Sequence, residues 1–242
     1  METVKQPLVR WTIGPTNSTG LEILRESVSL FSYVYPEFKR VVCFNHIEKS
    51  QLVGVDADLL EQNSDMVPFE LRRPDSNPEE ASGCGWKLCP PRLNSEGYEL
   101  WIDNDLVILK KVPSIDHWLS VGGGIISKGS GRRRMYGAYD GSVPAGLHVC
   151  AGLFGLPPSF DFQSAIESRL LRHIPLGGYD EQGLTASILT NMDMCHIVPS
   201  SEVCICEDYL EFPEVSCGIH FAAANRKPWH RGWKFYKSFK LL

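Results

Sequence analysis

Two kinds of apolar spacing organise the first fifty residues of the chain. Residues 9–13 (VRWTI) form an apolar run typical of a strand, and the apolar residues that follow recur at helical spacing. Pro36 ends this predicted helix, and residues 40–44 (RVVCF) predict a second strand. A strand, a helix and a strand with short connections favour a parallel pair with a right-handed crossover. The chain therefore opens as an α/β unit.

Later segments continue this pattern less regularly. The further predicted elements are strands at residues 100–109, 122–126 and 149–156, and helices at residues 113–119, 163–171 and 181–189. Ser114 is the expected cap of the first of these helices. Residues 62–95 are rich in Pro, Ser, Asn and Gly and predict irregular structure, and residues 127–146 predict an exposed loop. Because no repeat or linker divides the chain, we expect one α/β domain.

Composition excludes several classes of function. The 242 residues carry a formal net charge of -5, so no binding of nucleic acid is expected. No apolar run is long enough to cross a bilayer, and residues 1–7 lack a basic region followed by an apolar stretch. We therefore expect a cytoplasmic protein. Its eight cysteines show no metal-binding spacing and are expected to be reduced.

Three well-known catalytic motifs are missing from the sequence. The glycines at 122–124, 129 and 131 belong to no phosphate-binding loop of the Gly-x-x-x-x-Gly-Lys-[Ser/Thr] type. No Gly-x-Gly-x-x-Gly joins the first strand to its helix, and no Gly-x-Ser-x-Gly is present. The sequence therefore argues against a P-loop kinase, a dinucleotide-binding Rossmann enzyme and a serine hydrolase.

Two carboxylates interrupt the apolar run at residues 100–109, which reads LWIDNDLVIL. In a strand, residues i and i+2 share a face, so Asp103 and Asp105 are expected to point toward one ligand. Neighbouring anions at a buried strand end repel each other unless a cation lies between them. A divalent metal that also binds phosphate fits this need. The alternative is an acidic turn between two short strands.

A second informative segment, residues 218–229, reads GIHFAAANRKPW. His220 is a candidate metal ligand, and Lys227 is a cation suited to phosphate oxygens. Taken singly, an interior histidine and a solvated lysine are the simpler explanations. Together with Asp103 and Asp105, these residues predict an Asp-Asp-His metal site with open positions that a diphosphate could fill.

The order of these segments resembles one enzyme family. Asp-x-Asp at a strand end, followed far downstream by His-Phe-x₅-Lys-Pro-Trp, resembles the retaining nucleotide-sugar glycosyltransferases of family 8, the glycogenin and lipooligosaccharide galactosyltransferase group. Other similar segments lie at residues 12–17, 86–88, 112–119, 150–154 and 180–184. The resemblance implies a GT-A-like α/β fold over residues 1–242, with a mixed, mostly parallel sheet flanked by helices.

The resemblance also implies a function. A hexose would pass from a nucleotide-diphosphate sugar, UDP-glucose or UDP-galactose by family default, to a glycan, lipid or protein acceptor with retention of configuration. Mn²⁺ or Mg²⁺ would be bound by Asp103, Asp105 and His220. The implied donor-binding residues are Thr12, Gly14, Asn17, Lys87, Asn104, Gly152 and Lys227. The implied catalytic residues beside the transferred sugar are Asp180, Glu181 and Gln182.

Two alternatives to this function stay open, and departures from the family pattern favour the first of them. Cys150 stands where the family has Asn, and Glu181 stands where it has Asp, with Asp180 one residue earlier, so either acid could serve. A non-catalytic homologue that binds a nucleotide sugar is one alternative. A sugar nucleotidyltransferase is the other, although residues 14–17 lack the basic residues that such an enzyme usually requires.

The last segment, residues 227–242, interleaves basic and aromatic residues in a chain that is acidic overall. Such a segment could bind an anionic membrane surface as a peripheral contact. It could equally pack on the domain, with its lysine stems covering apolar surface. The sequence leaves both possibilities open.

Overall fold

The computed structural model describes residues 5–63, 83–131, 134–170, 179–206 and 217–222. Within these ranges the strands are β1 (Lys5–Ile13), β2 (Lys39–Phe44), β3 (Asp58–Glu61), β4 (Gly97–Ile102), β5 (Leu106–Ile108), β6 (Gly124–Lys128), β7 (Val149–Leu156), β8 (Cys195–Val198), β9 (Val203–Ile205) and β10 (Gly218–His220). The α-helices are α1 (Ser18–Val34), α2 (Pro113–Val121), α3 (Phe162–Leu170) and α4 (Asp180–Leu189). Short 3₁₀ turns cover Lys49–Leu52, Gly83–Leu88 and Gly137–Ser142.

Seven of the described strands form the main sheet, in the order β3-β2-β1-β4-β7-β6-β8. β1 pairs in parallel with β2 and with β4, and β7 runs antiparallel to both of its neighbours. β3 and β8 continue the parallel direction at the two edges. A second, smaller sheet has the order β5-β10-β9. The predicted parallel β1–α1–β2 unit and the mixed, mostly parallel α/β fold are confirmed.

Apolar side chains cover both faces of the main sheet. In β4, Leu100 and Ile102 join the buried cluster that includes α1, whereas Trp101 joins the cluster that includes α3 and α4. Successive strand residues point to opposite faces, so a strand that is apolar throughout is covered on both sides. Trp101 stacks on Phe154 with ring centroids 4.7 Å apart. Burying each such large side chain contributes about 1.5–3 kcal/mol.

Helix α1 is connected to both sheets through polar contacts. Asn17 begins the helix, because its Oδ1 accepts a hydrogen bond from Gly20 N at 3.0 Å. Ten residues after Asn17, on the buried face of the helix, Ser27 Oγ accepts from Trp11 Nε1 at 2.9 Å and donates to the Leu106 carbonyl. Trp11 belongs to the main sheet and Leu106 to the smaller one. The helix therefore fixes the two sheets relative to each other at this point.

The predicted single strand at residues 100–109 is wrong in one respect. β4 ends at Ile102 and β5 begins at Leu106, whose N–H donates to Asp103 O at 3.0 Å and closes a turn. The two strands belong to different sheets. Carboxylates are costly inside an apolar sheet, so the run divides where the two acids stand. The structure therefore contains the turn that was the alternative interpretation.

Helix α2 also differs from the expectation at its start. Its N-cap is Val112, and the N–H of Ser114 donates to a Glu202 carboxylate oxygen at 2.9 Å. Pro113 occupies the first turn, where its fixed φ suits the helix. The Glu202 carboxylate, from a distant loop, thus takes the place of the expected Ser114 cap. The positive N-terminal end of a helix favours such an anion.

Two sequence interpretations concern segments that the structure covers only in part or not at all. No helix within the described ranges is long and apolar enough to cross a membrane. The basic and aromatic segment at residues 227–242 lies outside the described residues, so its membrane contact stays a prediction. Of the irregular stretch predicted at residues 62–95, the described part contains the 3₁₀ turn at Gly83–Leu88.

A buried carboxylate organises the segment between that 3₁₀ turn and β4. Glu99 is fully buried, and its Oε2 accepts hydrogen bonds from Leu93 N at 2.9 Å and Asn94 N at 2.8 Å. Arg10 Nη1 lies 3.3 Å from Glu99 Oε1, and Arg92 Nε lies 3.3 Å from Oε2. One acid therefore holds two guanidinium groups and two backbone N–H groups.

Arg10 extends this network to residue 87. Its guanidinium donates to the Pro90 carbonyl at 2.7 Å and to the Lys87 carbonyl, and it lies 4.6 Å from the centroid of the Trp101 ring. The indole Nε1 of Trp101 also donates to the Lys87 carbonyl, at 3.2 Å. The backbone of Lys87 is therefore fixed to β1 and β4 by two side-chain donors.

We expect Glu99→Gln to lower the free energy of unfolding by about 3–5 kcal/mol, because it leaves buried guanidinium charge without its anion. Urea denaturation followed by circular dichroism measures this change. Glu96→Gln is the matched control: Glu96 pairs with Lys5 at an exposed site, with 63% of its side chain accessible. Its substitution should cost about 0–1 kcal/mol. Equal losses in the two variants would contradict the assigned role of Glu99.

Candidate functional site

The candidate site lies where the parallel strands of the main sheet end. β1, β2 and β4 point their carboxyl ends toward the same edge. Because β7 runs antiparallel to β4, its first residues reach this edge too, and Ile102 pairs with Leu153. Asp103 N then donates to Gly152 O at 2.8 Å. In α/β sheets this edge is where ligands commonly bind.

Asp103, Asp105 and His220 converge at this edge. His220 pairs with Leu106 across β10 and β5, and Phe221 N donates to Asp105 O at 2.9 Å. His220 Nε2 lies 3.4 Å from Asp103 Oδ2 and 3.2 Å from Asp105 Oδ1. One candidate ligand atom from each of the three residues lies within 4.8 Å of the others. The structure therefore brings together the three residues proposed from the sequence as metal ligands.

The charges of these groups are strongly coupled. Burial opposes the charged form of His220, but the Asp105 carboxylate and the bond to Asp103 raise its pKa well above the ordinary value. Burial likewise raises the pKa of Asp103, but the Lys87 ammonium and His220 outweigh it and lower that pKa below its usual range. Without a metal, the two carboxylates thus keep the imidazole protonated.

The donor set fits a divalent cation. Asp105 Oδ1 is buried, and no described residue donates a well-aligned hydrogen bond to it, although His220 Nε2 is close. Two carboxylates and one imidazole nitrogen are suitable ligands for Mn²⁺ and related divalent ions. Gly152 provides the space for the imidazole, because a Cβ atom there would lie 2.2 Å from His220 Cε1 and 2.5 Å from Nδ1. The geometry is compatible with the metal that the family resemblance implies.

Lys87 and Glu181 extend the site beyond the three candidate ligands. The Lys87 ammonium contacts Asp103 Oδ1, donates to the Ala151 carbonyl at 2.8 Å and lies 3.7 Å from Glu181 Oε1. Burial raises the pKa of Glu181 to about 7, against the attraction of Lys87. The carboxyl group of Glu181 therefore exchanges its proton near neutral pH, beside the cation that also meets Asp103.

The structure gives different positions to the two acids that the sequence left as alternatives. Asp180 Oδ1 accepts from Ala138 N at 2.8 Å, and a Cβ atom on Gly137 would collide with the same oxygen. Asp180 therefore secures the 3₁₀ turn at Gly137–Ser142. Glu181 is the acid that faces Lys87. The next residue, Gln182, donates from Nε2 to the Met135 carbonyl at 2.9 Å.

The residues proposed at the end of β1 form a separate group at the same edge. Asn17 uses its side-chain oxygen to cap α1. A Cβ atom on Gly14 would lie 3.1 Å from Asn45 Oδ1, so this glycine allows the ends of β1 and β2 to approach. Thr12 Oγ1 is buried without a hydrogen-bond partner among the described residues. Asn17 is exposed at this edge, whereas the Thr12 hydroxyl is covered by its neighbours.

Two further residues complete the comparison with the sequence prediction. Asn104 is the central residue of the turn between the two candidate metal ligands, Asp103 and Asp105. Lys227 lies outside the described residues, and its contact with phosphate stays a prediction. Sequence reasoning missed the contact of Cys150 with His220, since the two residues are 70 positions apart and no local pattern joins them.

Comparison with known proteins supports the fold. No family model and no curated protein sequence matches the chain. The solved structure of the galactosyltransferase LgtC, in complex with donor and acceptor sugar analogs, is similar with a TM-score of 0.65 and 12% identity, over 95% of this chain and 94% of that one. GlyE of Streptococcus pneumoniae TIGR4, a glycosyltransferase, is similar with a TM-score of 0.59 and 11% identity, over 99% of this chain and 61% of that one. Mouse xyloside xylosyltransferase 1 is similar with a TM-score of 0.53 and 10% identity, over 88% of this chain and 96% of that one. The chain therefore has the GT-A-like fold that the resemblance implied.

We expect His220 in the metal-free protein to stay protonated above pH 6.5, the ordinary histidine value. Asp105→Asn should lower its pKa, because this carboxylate is the strongest attraction that holds the proton. Long-range ¹H–¹⁵N NMR of the imidazole over a pH series, assigned with His220→Gln, measures both effects. Asp58→Asn, at the start of the edge strand β3, should leave the pKa unchanged. A wild-type His220 that titrates at or below the ordinary value would contradict the described geometry.

Proposed function

We propose that this chain is a metal-dependent glycosyltransferase that moves a hexose from a UDP-sugar to an acceptor hydroxyl with retention of configuration. The observation that carries the proposal is the convergence of Asp103, Asp105 and His220 beside Lys87, at the ligand-binding edge of a glycosyltransferase-like fold. UDP, a hexose and retention are taken from the family resemblance. The similarity to a galactosyltransferase solved with donor and acceptor sugar analogs supports the transfer of a hexose.

The reaction places its electrostatic demand at the diphosphate. The bond from the anomeric carbon to the diphosphate breaks and leaves its electron pair on the phosphate oxygen. The acceptor hydroxyl oxygen forms the new bond to that carbon, and its proton passes to an oxygen of the leaving diphosphate. Asp103, Asp105 and His220 would hold a divalent metal whose charge stabilises the leaving diphosphate. The three residues would thus act through the positive charge of the metal that they hold.

Lys87 and Glu181 are suited to binding the donor. The Lys87 ammonium contacts Asp103 and Glu181, and its positive charge would attract the donor phosphates. Glu181 Oε1 receives no hydrogen bond from a described residue, and its carboxyl group can accept one from a sugar hydroxyl. Gln182, whose Nε2 is engaged by the Met135 carbonyl, keeps its amide oxygen for the same region.

The two alternatives make different demands on the site. A sugar nucleotidyltransferase usually has basic residues on the loop after the first strand, and residues 14–17 contain none. A non-catalytic binding protein requires the same donor site without turnover. The glycosyltransferase and the non-catalytic binding protein would both bind the donor. A measurement of sugar release therefore distinguishes them, whereas a binding measurement does not.

We expect the protein to bind UDP in the presence of Mn²⁺, and to lose the Mn²⁺-dependent part of that binding in Asp105→Asn. The substitution keeps the size of the side chain but removes the charge that the metal requires. Isothermal titration calorimetry with UDP, with and without Mn²⁺, measures the effect. Asp58→Asn, an exposed acid paired with Lys39 at the far edge of the sheet, is the matched control.

Unchanged UDP affinity in Asp105→Asn would refute the metal assignment, and no UDP binding under either condition would refute the glycosyltransferase proposal. Slow release of hexose from UDP-glucose or UDP-galactose in the absence of an acceptor is the expected second result. Binding of the donor without any release would favour the non-catalytic alternative.

Gly152→Ala should prevent tight Mn²⁺ binding while the protein stays folded. The added Cβ would lie within 3.0 Å of three imidazole atoms of His220, so the ring has to leave the carboxylates. We expect at least about a tenfold loss of Mn²⁺ affinity, as for the loss of a residue that orients a ligand. Gly141→Ala is the control, since a Cβ there meets nothing within 4 Å. Equal Mn²⁺ affinities in the two variants would show that His220 is not a ligand.

A further inference from the structure

The imidazole of His220 has a neighbour that the proposed chemistry does not use. Cys150 Sγ lies 3.8 Å from His220 Nδ1, whereas the two carboxylates face Nε2. Both residues are buried: Cys150 is 9% exposed and His220 is 3% exposed. The ring is therefore held at one nitrogen by carboxylate oxygens and at the other by a sulfur.

The alternation of β7 places the sulfur at this nitrogen. Cys150 and Gly152 are two residues apart in a strand, so they share the face on which the imidazole lies. Gly152 N donates to Cys150 Sγ at 3.4 Å. Ser127 Oγ donates to the Cys150 carbonyl at 2.8 Å, which holds the backbone of this residue in place. The sulfur is thus already oriented to accept hydrogen bonds.

The sulfur is not placed as a metal ligand. Among the residues with described positions, the cluster of candidate ligand atoms within 4.8 Å contains Asp103, Asp105 and His220, and does not contain Cys150. A histidine that binds a metal through Nε2 carries its proton on Nδ1, and that N–H requires an acceptor. Cys150 Sγ is the acceptor that the structure provides.

We propose that Cys150 is a positioning residue for the metal site, whose sulfur accepts a hydrogen bond from Nδ1–H of His220 and fixes the tautomer that presents Nε2 to the metal. This inference rests on the proposed function, because it requires His220 to bind a metal. The inference gives a specific role to Cys150, which stands where the family that the chain resembles has Asn. A thiol is a weak acceptor, so the expected effect on metal affinity is at the lower end of the range for such outer contacts.

The test measures Mn²⁺ binding by calorimetry and Mn²⁺ coordination by pulsed electron paramagnetic resonance, which detects the ¹⁴N nucleus of a bound imidazole. In Cys150→Ala we expect about tenfold weaker Mn²⁺ binding and a diminished ¹⁴N signal, because Nδ1–H loses its acceptor. Cys150→Ser restores an acceptor atom and should recover part of both. Cys150→Val, which fills the space without an acceptor, replaces the alanine variant if that variant does not fold.

The control is Cys43→Ala, which removes a fully buried thiol from β2 and should keep wild-type affinity and signal. Lower thermal stability with unchanged Mn²⁺ affinity and ¹⁴N signal in the folded Cys150→Ala or Cys150→Val protein would overturn the inference and leave the metal site intact. A wild-type protein that binds no Mn²⁺, or binds it without a ¹⁴N signal, would contradict the proposed metal site, and the inference with it.

Discussion

Charge compensation at the turn between β4 and β5 is the constraint on which the rest of the site depends. Asp103, Asp105 and Glu181 bring three carboxyl groups to one sheet edge, and Lys87 and His220 are the described cations that meet them. Removing one partner of a buried ion pair costs about 3–5 kcal/mol. Both cations must therefore be held firmly, and each is held by a different part of the fold.

Lys87 is held from the core of the main sheet. Its backbone carbonyl accepts hydrogen bonds from Arg10 and Trp101, and Arg10 is in turn paired with the buried Glu99. This sequence of contacts joins the interior of the sheet to the ammonium group in the site. The stability of the fold and the charge balance of the site thus depend on the same residues, and Glu99 has a structural role that reaches the site through Lys87.

The sequence predicted those features that depend on local periodicity. β7 was expected at residues 149–156 and is observed at Val149–Leu156, because a continuous apolar run is typical of a central strand covered on both faces. The division of residues 100–109 was not predicted, since apolar spacing does not show that β4 and β5 belong to different sheets. The strands β9 and β10 have three residues each, which is too short for a periodic signal.

The sequence predicted which three candidate ligands converge, but it did not predict the contacts that support them. Asp103 and Asp105 were predicted from their i, i+2 spacing, which is a local signal. His220 was predicted from the His-Phe-x₅-Lys-Pro-Trp motif. The separate positions of Asp180 and Glu181 depend on Ala138 and Lys87, which are distant in sequence, so neighbouring acids could not be distinguished beforehand. The same reasoning applies to Asn17, whose capping of α1 becomes visible only with the helix bounds.

The reversed direction of β7 explains how three consecutive small residues support both cations. Because β7 is antiparallel to β4, its first residues arrive at the edge where Asp103 stands. Gly152 leaves room for the imidazole of His220. The Ala151 carbonyl accepts a hydrogen bond from the Lys87 ammonium, and Cys150 Sγ contacts Nδ1 of the imidazole. A larger side chain at 152 would displace the imidazole, since the space of its Cβ is already occupied. The charge balance therefore requires small side chains at residues 150–152. The Cys150 thiol meets this requirement, because it is small and still supplies a hydrogen-bond acceptor for the imidazole.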